Sequence, residues 1–127
     1  MNKPDKILII EDDFDLLWLI KKLISMNGFE VLTAVTGQEA IETFSRNIFD
    51  IRLIILDLTL PDFHGKTLCE EIRKVSPDLP IIITSGSDDW EERNLLEKLG
   101  ISHYLVKPFD LMKLMELISD ELSAAQI

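Results

Sequence analysis

The side chains of this chain that could do chemistry stand where runs of apolar residues stop. Glu11, Asp12 and Asp13 follow "KILII", Asp57 follows "LIIL", Thr84 and Ser85 close "PIIITS", and Lys107 follows "SHYLV". A carboxylate at the end of an interior run is costly to bury alone, so it calls for a cation, a metal ion or the mouth of a pocket. Oxygen donors without a cysteine or histidine cluster suit a hard cation, and a small site with room for water suits Mg²⁺ better than a full Ca²⁺ cage. With that charge neutralised, one carboxylate can serve as a nucleophile. The cation and the lysine then stabilise phosphoryl oxygens, to which a hydroxyl such as that of Ser85 donates. The chemistry suggested is phosphoryl transfer.

These residues meet only if the runs that precede them are neighbouring strands. Five short apolar runs, "KILIIE", "FEVLTA", "IRLIILD", "PIIITS" and "SHYLVK", alternate with five amphipathic stretches. The stretches are "FDLLWLIKKLISMNG", "TGQEAIETFSRN", "KTLCEEIRKVS", "DDWEERNLLEKLG" and "DLMKLMELISDELSAA". In the first, Leu17, Ile20, Leu23 and Ile24 recur at helical spacing and Asn27-Gly28 is a stop; in the second, Ala40, Ile41 and Phe44 form the inner face. Nearly all-apolar strands between amphipathic helices predict an α/β fold with a parallel sheet covered on both faces, the doubly wound arrangement. In such a sheet ligands bind beyond the carboxyl ends of the strands, where strand order reverses, and that is where the polar residues fall.

A length of 127 residues suits one domain, read here as filling residues 1–127, with no internal repeat or linker. A hydrophobic content of 46% with a net charge of −10 describes a compact acidic protein and argues against direct nucleic-acid binding, which needs a basic face. The single cysteine, Cys69, cannot form an internal disulfide, and no apolar run approaches the length that spans a bilayer. "MNKPDK" has no signal-peptide layout, so a cytoplasmic location without membrane contact is expected.

Four segments, "ILIIEDD", "LIILDLTLPDFHG", "PIIITSGS" and "YLVKPF", resemble in order and spacing the motifs of the response-regulator receiver domain of two-component signalling, of the single-domain, chemotaxis-Y-like kind. The resemblance covers essentially the whole chain. It implies a flavodoxin-like (βα)5 fold with strand order 2-1-3-4-5. It also implies a phosphoryl group taken onto Asp57, with Mg²⁺, from a histidine kinase or histidine phosphotransfer protein. Asp12 would then be a direct Mg²⁺ ligand, Glu11 would act mainly through water, and the Thr59 backbone carbonyl would complete the protein's share of the shell. By the same resemblance Lys107 binds the phosphoryl group, Lys107-Pro108 is a cis peptide, Ser85 is the switch hydroxyl, and Tyr104 is the aromatic that swings inward on activation. Gly65 ends the loop after Asp57, and Gly86 leaves space above the phosphate. Thr59 and Ser87 stand where the family tunes phosphate lifetime.

The implied outcome is a signalling phosphoacceptor rather than an enzyme on other substrates. Its switch would remodel the face of the fourth helix, fifth strand and fifth helix for a downstream protein partner or output domain. Pairing with the kinase would lie around the first helix, with Leu16, Leu17 and Leu19 as candidates. No output domain follows the fifth helix, which leaves a stand-alone receiver or one excised from a longer regulator or hybrid kinase. Two other classes fit the residues less well. "IILDLT" superficially resembles a haloacid-dehalogenase-type phosphatase, but Thr59 stands where that family's second aspartate acts. A flavodoxin-like cofactor binder would need a phosphate cradle where "EDDFD" would repel one. A degenerate receiver used for binding alone is the remaining alternative.

Simpler roles fit several of the other residues. Asp13 is expected to cap the first helix. The acids around Asp88, Asp89, Glu91 and Glu92 suit a helix N-terminus. His64 and His103 read as surface residues, Trp18 as a packing residue, Trp90 as exposed, and Cys69 as a small helix-face residue.

Overall fold

The computed structural model describes residues 5–125. Its elements run β1 (Lys6–Ile10), α1 (Phe14–Met26), β2 (Glu30–Ala34), α2 (Gly37–Arg46), β3 (Ile51–Asp57), α3 (Gly65–Val75), β4 (Ile81–Ser85), α4 (Trp90–Lys98), β5 (His103–Val106) and α5 (Leu111–Ala125). The strands form one parallel sheet in the order β2-β1-β3-β4-β5. This is the doubly wound α/β architecture read from the alternating runs, and the reversal of direction falls beside β1.

Side-chain alternation splits the interior into two layers. Leu8, Ile10, Ile54, Leu56, Ile81 and Ile83 turn to one face, where Phe44 of α2, Leu68 and Ile72 of α3, and Leu96 of α4 cover them. Their sequence neighbours Ile7, Ile9, Leu53, Ile55 and Ile82 turn to the other, under Leu17, Ile20 and Ile24 of α1 and Leu114, Ile118 and Leu122 of α5. The central strands are buried on both faces because a parallel sheet is sealed on both sides, and at roughly 25 cal/mol per Å² of apolar surface this burial is the main stabilising term.

The helices start where local chemistry tells them to. Asp13 caps α1, its Oδ1 accepting from the Asp15 and Leu16 amides at 3.0 and 3.3 Å, and Asp89 caps α4 in the same way. Gly28 takes φ +91° just past α1, the left-handed geometry expected at the Asn27-Gly28 stop. Trp18 departs from expectation. It is 57% exposed, since it lies one residue off the Leu17–Ile20–Ile24 stripe, and the Lys22 ammonium sits 4.8 Å from its ring.

Candidate functional site

The site gathers at the carboxyl ends of β1, β3, β4 and β5, and backbone pairing carries each functional residue just past its strand. The Glu11 amide extends the β1–β2 ladder to the Ala34 carbonyl at 3.0 Å, Leu58 extends β3–β4 to Thr84 at 3.0 Å, and Lys107 extends β4–β5 to Ser85 at 2.7 Å. Because Asp13 is spent on the cap of α1, Glu11 and Asp12 are left to the site. Glu11 turns in, 2% exposed, and Asp12 stays at the surface.

Asp57 is 2% exposed. Its Oδ1 accepts from the Thr59 amide at 3.1 Å and its Oδ2 lies 3.2 Å from Lys107 Nζ. The same ammonium is 2.8 Å from Glu11 Oε1, while Glu11 Oε2 accepts from the Asp13 amide at 3.2 Å. The approach to Oε1 is off the hydrogen-bonding direction, so this buried oxygen is held by charge without an aligned donor. Burial, and next a hydrogen bond shared with Asp57, push the Glu11 carboxyl up to about 7 against the opposing pull of Lys107. Burial works against the Lys107 ammonium, but its contacts with Glu11 and Asp57 together raise it above the ordinary lysine value.

Glu11, Asp12 and Asp57 each offer a carboxylate oxygen, all within 4.8 Å of one another. One lysine cannot neutralise three acids, and Glu11 Oε1 has no aligned donor. An all-oxygen donor set of this size fits a small hard cation.

The remaining expected residues lie alongside. Ser85 is buried, and its Oγ accepts from the Ser87 amide at 3.1 Å. Thr84, the residue before it, is also buried and pairs in the ladder with Asp57 and Leu105. The Lys107-Pro108 peptide is cis. A Cβ on Gly65 would stand 2.6 Å from Leu58 Cα, so only glycine closes the loop there, whereas open space surrounds Gly86.

Tyr104, the expected switch aromatic, stands inward in this structure. It is 8% exposed, its hydroxyl donates to the Ser87 carbonyl at 2.9 Å beside Ser85, and the Arg93 guanidinium covers its ring at 5.2 Å. Burial raises its phenol above the ordinary value.

Three residues make contacts that nothing in the sequence marks. His64 caps α3 through Nδ1, which accepts from the Lys66 amide at 3.2 Å, and its Nε2 lies 3.1 Å from Glu92 on α4. Histidine is outside the usual set of caps, which hid the first role. Asp62 and Arg73 bind backbone more than twenty residues away, and nothing local marks either partner. Of the leucines considered on α1, Leu17 is buried, Leu16 half-buried and Leu19 exposed. The exposed and half-buried apolar residues of this helix continue through Leu23 and Met26 to Leu111 and Met112 of α5, forming a shallow groove.

Comparison with known proteins agrees with this geometry. Residues 7–119 match the family model described as the response regulator receiver domain. The chain is 36% identical over 107 residues to the probable transcriptional regulator ycf27 of Porphyridium aerugineum, covering 84% of this chain and 43% of that protein. It is 33% identical over 109 residues to the transcriptional regulatory protein PrrA of Mycobacterium tuberculosis, covering 86% of this chain and 46% of that protein. The chain thus spans less than half the length of these curated relatives. Among solved structures, a response regulator receiver domain protein of Clostridium thermocellum superposes with a TM-score of 0.89 at 33% identity, over 96% of this chain and 97% of that one. The non-phosphorylated HemR receiver domain of Leptospira biflexa superposes with 0.88 at 32% identity, over 95% of each chain. With the strand order, the end-of-sheet acids and these matches in agreement, the chain belongs to the family of response regulator receiver domains.

Proposed function

We propose that this receiver domain takes a phosphoryl group onto Asp57 from the phosphohistidine of a histidine kinase or histidine phosphotransfer protein, with Mg²⁺ held by Glu11, Asp12, Asp57 and the Thr59 carbonyl. The observation that carries this reading is the buried Asp57 carboxylate, met by a lysine at 3.2 Å and by two further acids at the open end of the sheet. When bound, Mg²⁺ supplies positive charge that draws phosphoryl oxygens toward the acids. An Asp57 oxygen attacks phosphorus, the bond from phosphorus to the donor's imidazole nitrogen breaks, and the imidazole leaves with the electron pair. Lys107 turns from the carboxylates to a phosphoryl oxygen, and the Ser85 hydroxyl donates to another. Hydrolysis of the acyl phosphate returns the carboxylate, with water supplying the oxygen that leaves with phosphate.

Signalling follows from the added charge. Once Ser85 is drawn toward the phosphoryl group, the space beneath it favours Tyr104 in its inward position, bonded to the Ser87 carbonyl. Phosphorylation therefore stabilises an arrangement this chain can already adopt, which biases the face formed by α4, β5 and α5 toward a downstream protein partner or output domain. The donor docks at α1, where Leu19 and Leu16 are accessible. No helix among the described residues is long and apolar enough to cross a membrane. The acidic balance of this domain disfavours contact with nucleic-acid phosphates, so contact with DNA is expected of an output partner or output domain.

Incubation with acetyl phosphate and Mg²⁺, followed by intact mass, tests the chemistry. One added phosphoryl group, lost in Asp57→Asn and when Mg²⁺ is chelated, is expected. An unmodified wild type that also fails to bind beryllofluoride would overturn the reading and leave a degenerate receiver used for binding alone.

A further inference from the structure

The loop between β3 and α3 is fastened at both ends, and one fastening lies far from the acids. At its root, the Gly65 amide donates to the Leu58 carbonyl at 2.9 Å, and Thr59 faces His64 across an antiparallel bridge. At its tip, Asp62 Oδ1 accepts from the Gly37 amide at 2.7 Å and Oδ2 from the Gln38 amide at 3.0 Å. These are the first two amides of α2, and the third, Glu39, is taken by Thr36 Oγ at 3.1 Å. Beside them the Phe63 side chain occupies the space a Cβ on Gly37 would need, with its own Cβ 2.7 Å from that position. The tip is thus seated on the helix by two charge-assisted bonds and an aromatic ring.

We propose that Asp62 is a positioning residue for the phosphorylation site, acting from α2 through the loop that carries Thr59. The inference rests on the reading of Asp57 and Mg²⁺ given above. Thr59 belongs to the root fastening, two residues of chain from the tip, and serves the site twice. Its amide holds Asp57 Oδ1 at 3.1 Å, and its carbonyl belongs to the proposed metal shell. Only residues 60 and 61 join the root to the tip, so a movement of the tip is passed on to Thr59. Releasing Asp62 therefore loosens the Asp57 carboxylate and the carbonyl together, although Asp62 touches neither. The bonds to Gly37 and then Gln38 hold the Asp62 carboxyl below the ordinary aspartate value, as expected of a carboxylate kept ionised by a helix end. By this account α2 is part of the site without contributing a side chain to it.

A Mg²⁺ titration of the whole chain, followed by the amide resonances of Asp57 and Thr59, tests the inference. It is paired with hydrogen exchange of the Thr59 amide in metal-free protein. Asp62→Ala is compared with Thr36→Ala, which removes a neutral capping bond from the same helix end without touching the loop. Both variants should lose thermal stability, Asp62→Ala the more because it gives up two charge-assisted bonds. Only Asp62→Ala should weaken Mg²⁺ binding, by about tenfold or more, and speed exchange at Thr59. Asp62→Asn, which keeps one acceptor, should fall between Asp62→Ala and wild type, and it decides the matter if Asp62→Ala does not fold. Equal Mg²⁺ midpoints for Asp62→Ala and Thr36→Ala, in a background where wild type binds, would overturn the positioning role alone. A wild type whose Asp57 and Thr59 resonances ignore Mg²⁺ would overturn the Mg²⁺ reading and this inference with it.

Discussion

Glu11 shows how strongly burial can shape one carboxyl. Its folded value of about 7 stands above the ordinary 4.5, so between those two pH values the folded chain keeps a proton that the unfolded chain releases. Stability contributed by the group is therefore full below about pH 4.5, falls as pH rises, and is gone above about pH 7. At about 1.4 kcal/mol per pH unit, the loss has a ceiling of about 3 kcal/mol. We expect thermal melts of metal-free wild type to drop by several degrees more between pH 5 and pH 7.5 than those of Glu11→Gln. Parallel curves for the two proteins would contradict this account. The acids, the hydroxyl and the lysine were legible in the sequence because each interrupts an apolar run. Which rotamer Tyr104 takes was not, because that depends on Ser87 and Arg93, which reach it from another element.

At the scale of elements, Arg73 has the most to hold. From α3 its guanidinium donates to the carbonyls of Ser76, Leu79, Leu99 and Gly100, joining the turn before β4 to the turn before β5. Burial pulls its ionisation below the ordinary arginine value, with Cys69 and Asp78 opposing that only in part. Carbonyl oxygens do the work instead, in a planar fan that lysine cannot copy. Arg73→Ala should cost about 2–4 kcal/mol in chemical denaturation, and Arg73→Lys should recover less than half of it. A change within ~0.5 kcal/mol would mean that water replaces the guanidinium. Gly65→Ala makes a different demand, since its Cβ would press on Leu58 backbone and push the loop off Asp57. The strands and helices themselves were readable from period and caps, within a residue or two at most ends. The contacts that tie one loop to another were not, because Arg73 and Asp62 reach across about 25 residues to backbone groups that carry no residue-specific signal.

For the whole molecule, metal occupancy and folding should be linked. A cation that binds the folded cluster and not the unfolded chain stabilises by mass action, by about 2.7 kcal/mol at a hundredfold excess over its Kd. With a net charge of −10, any divalent ion also relieves general repulsion. Asp12→Asn separates the two effects. It leaves most of the acidic surface in place while removing one donor from the cluster. We expect 10 mM Mg²⁺, roughly an excess over an oxygen-donor site of this kind, to raise the Tm of wild type clearly and that of Asp12→Asn only slightly. Equal rises would assign the effect to screening.

The division of the interior into two layers makes sequence neighbours energetic strangers. Ile7 and Leu8 share a peptide bond yet belong to opposite packings, whereas Ile7 and Ile118 belong to the same one. Truncations at Ile7 and Leu8 should add, while truncations at two packed residues of one layer should couple. Substitutions can then accumulate under α1 and α5 with little disturbance to the packing around Leu96 and Tyr104. A chain built this way can vary the packing of one layer while the other keeps its own.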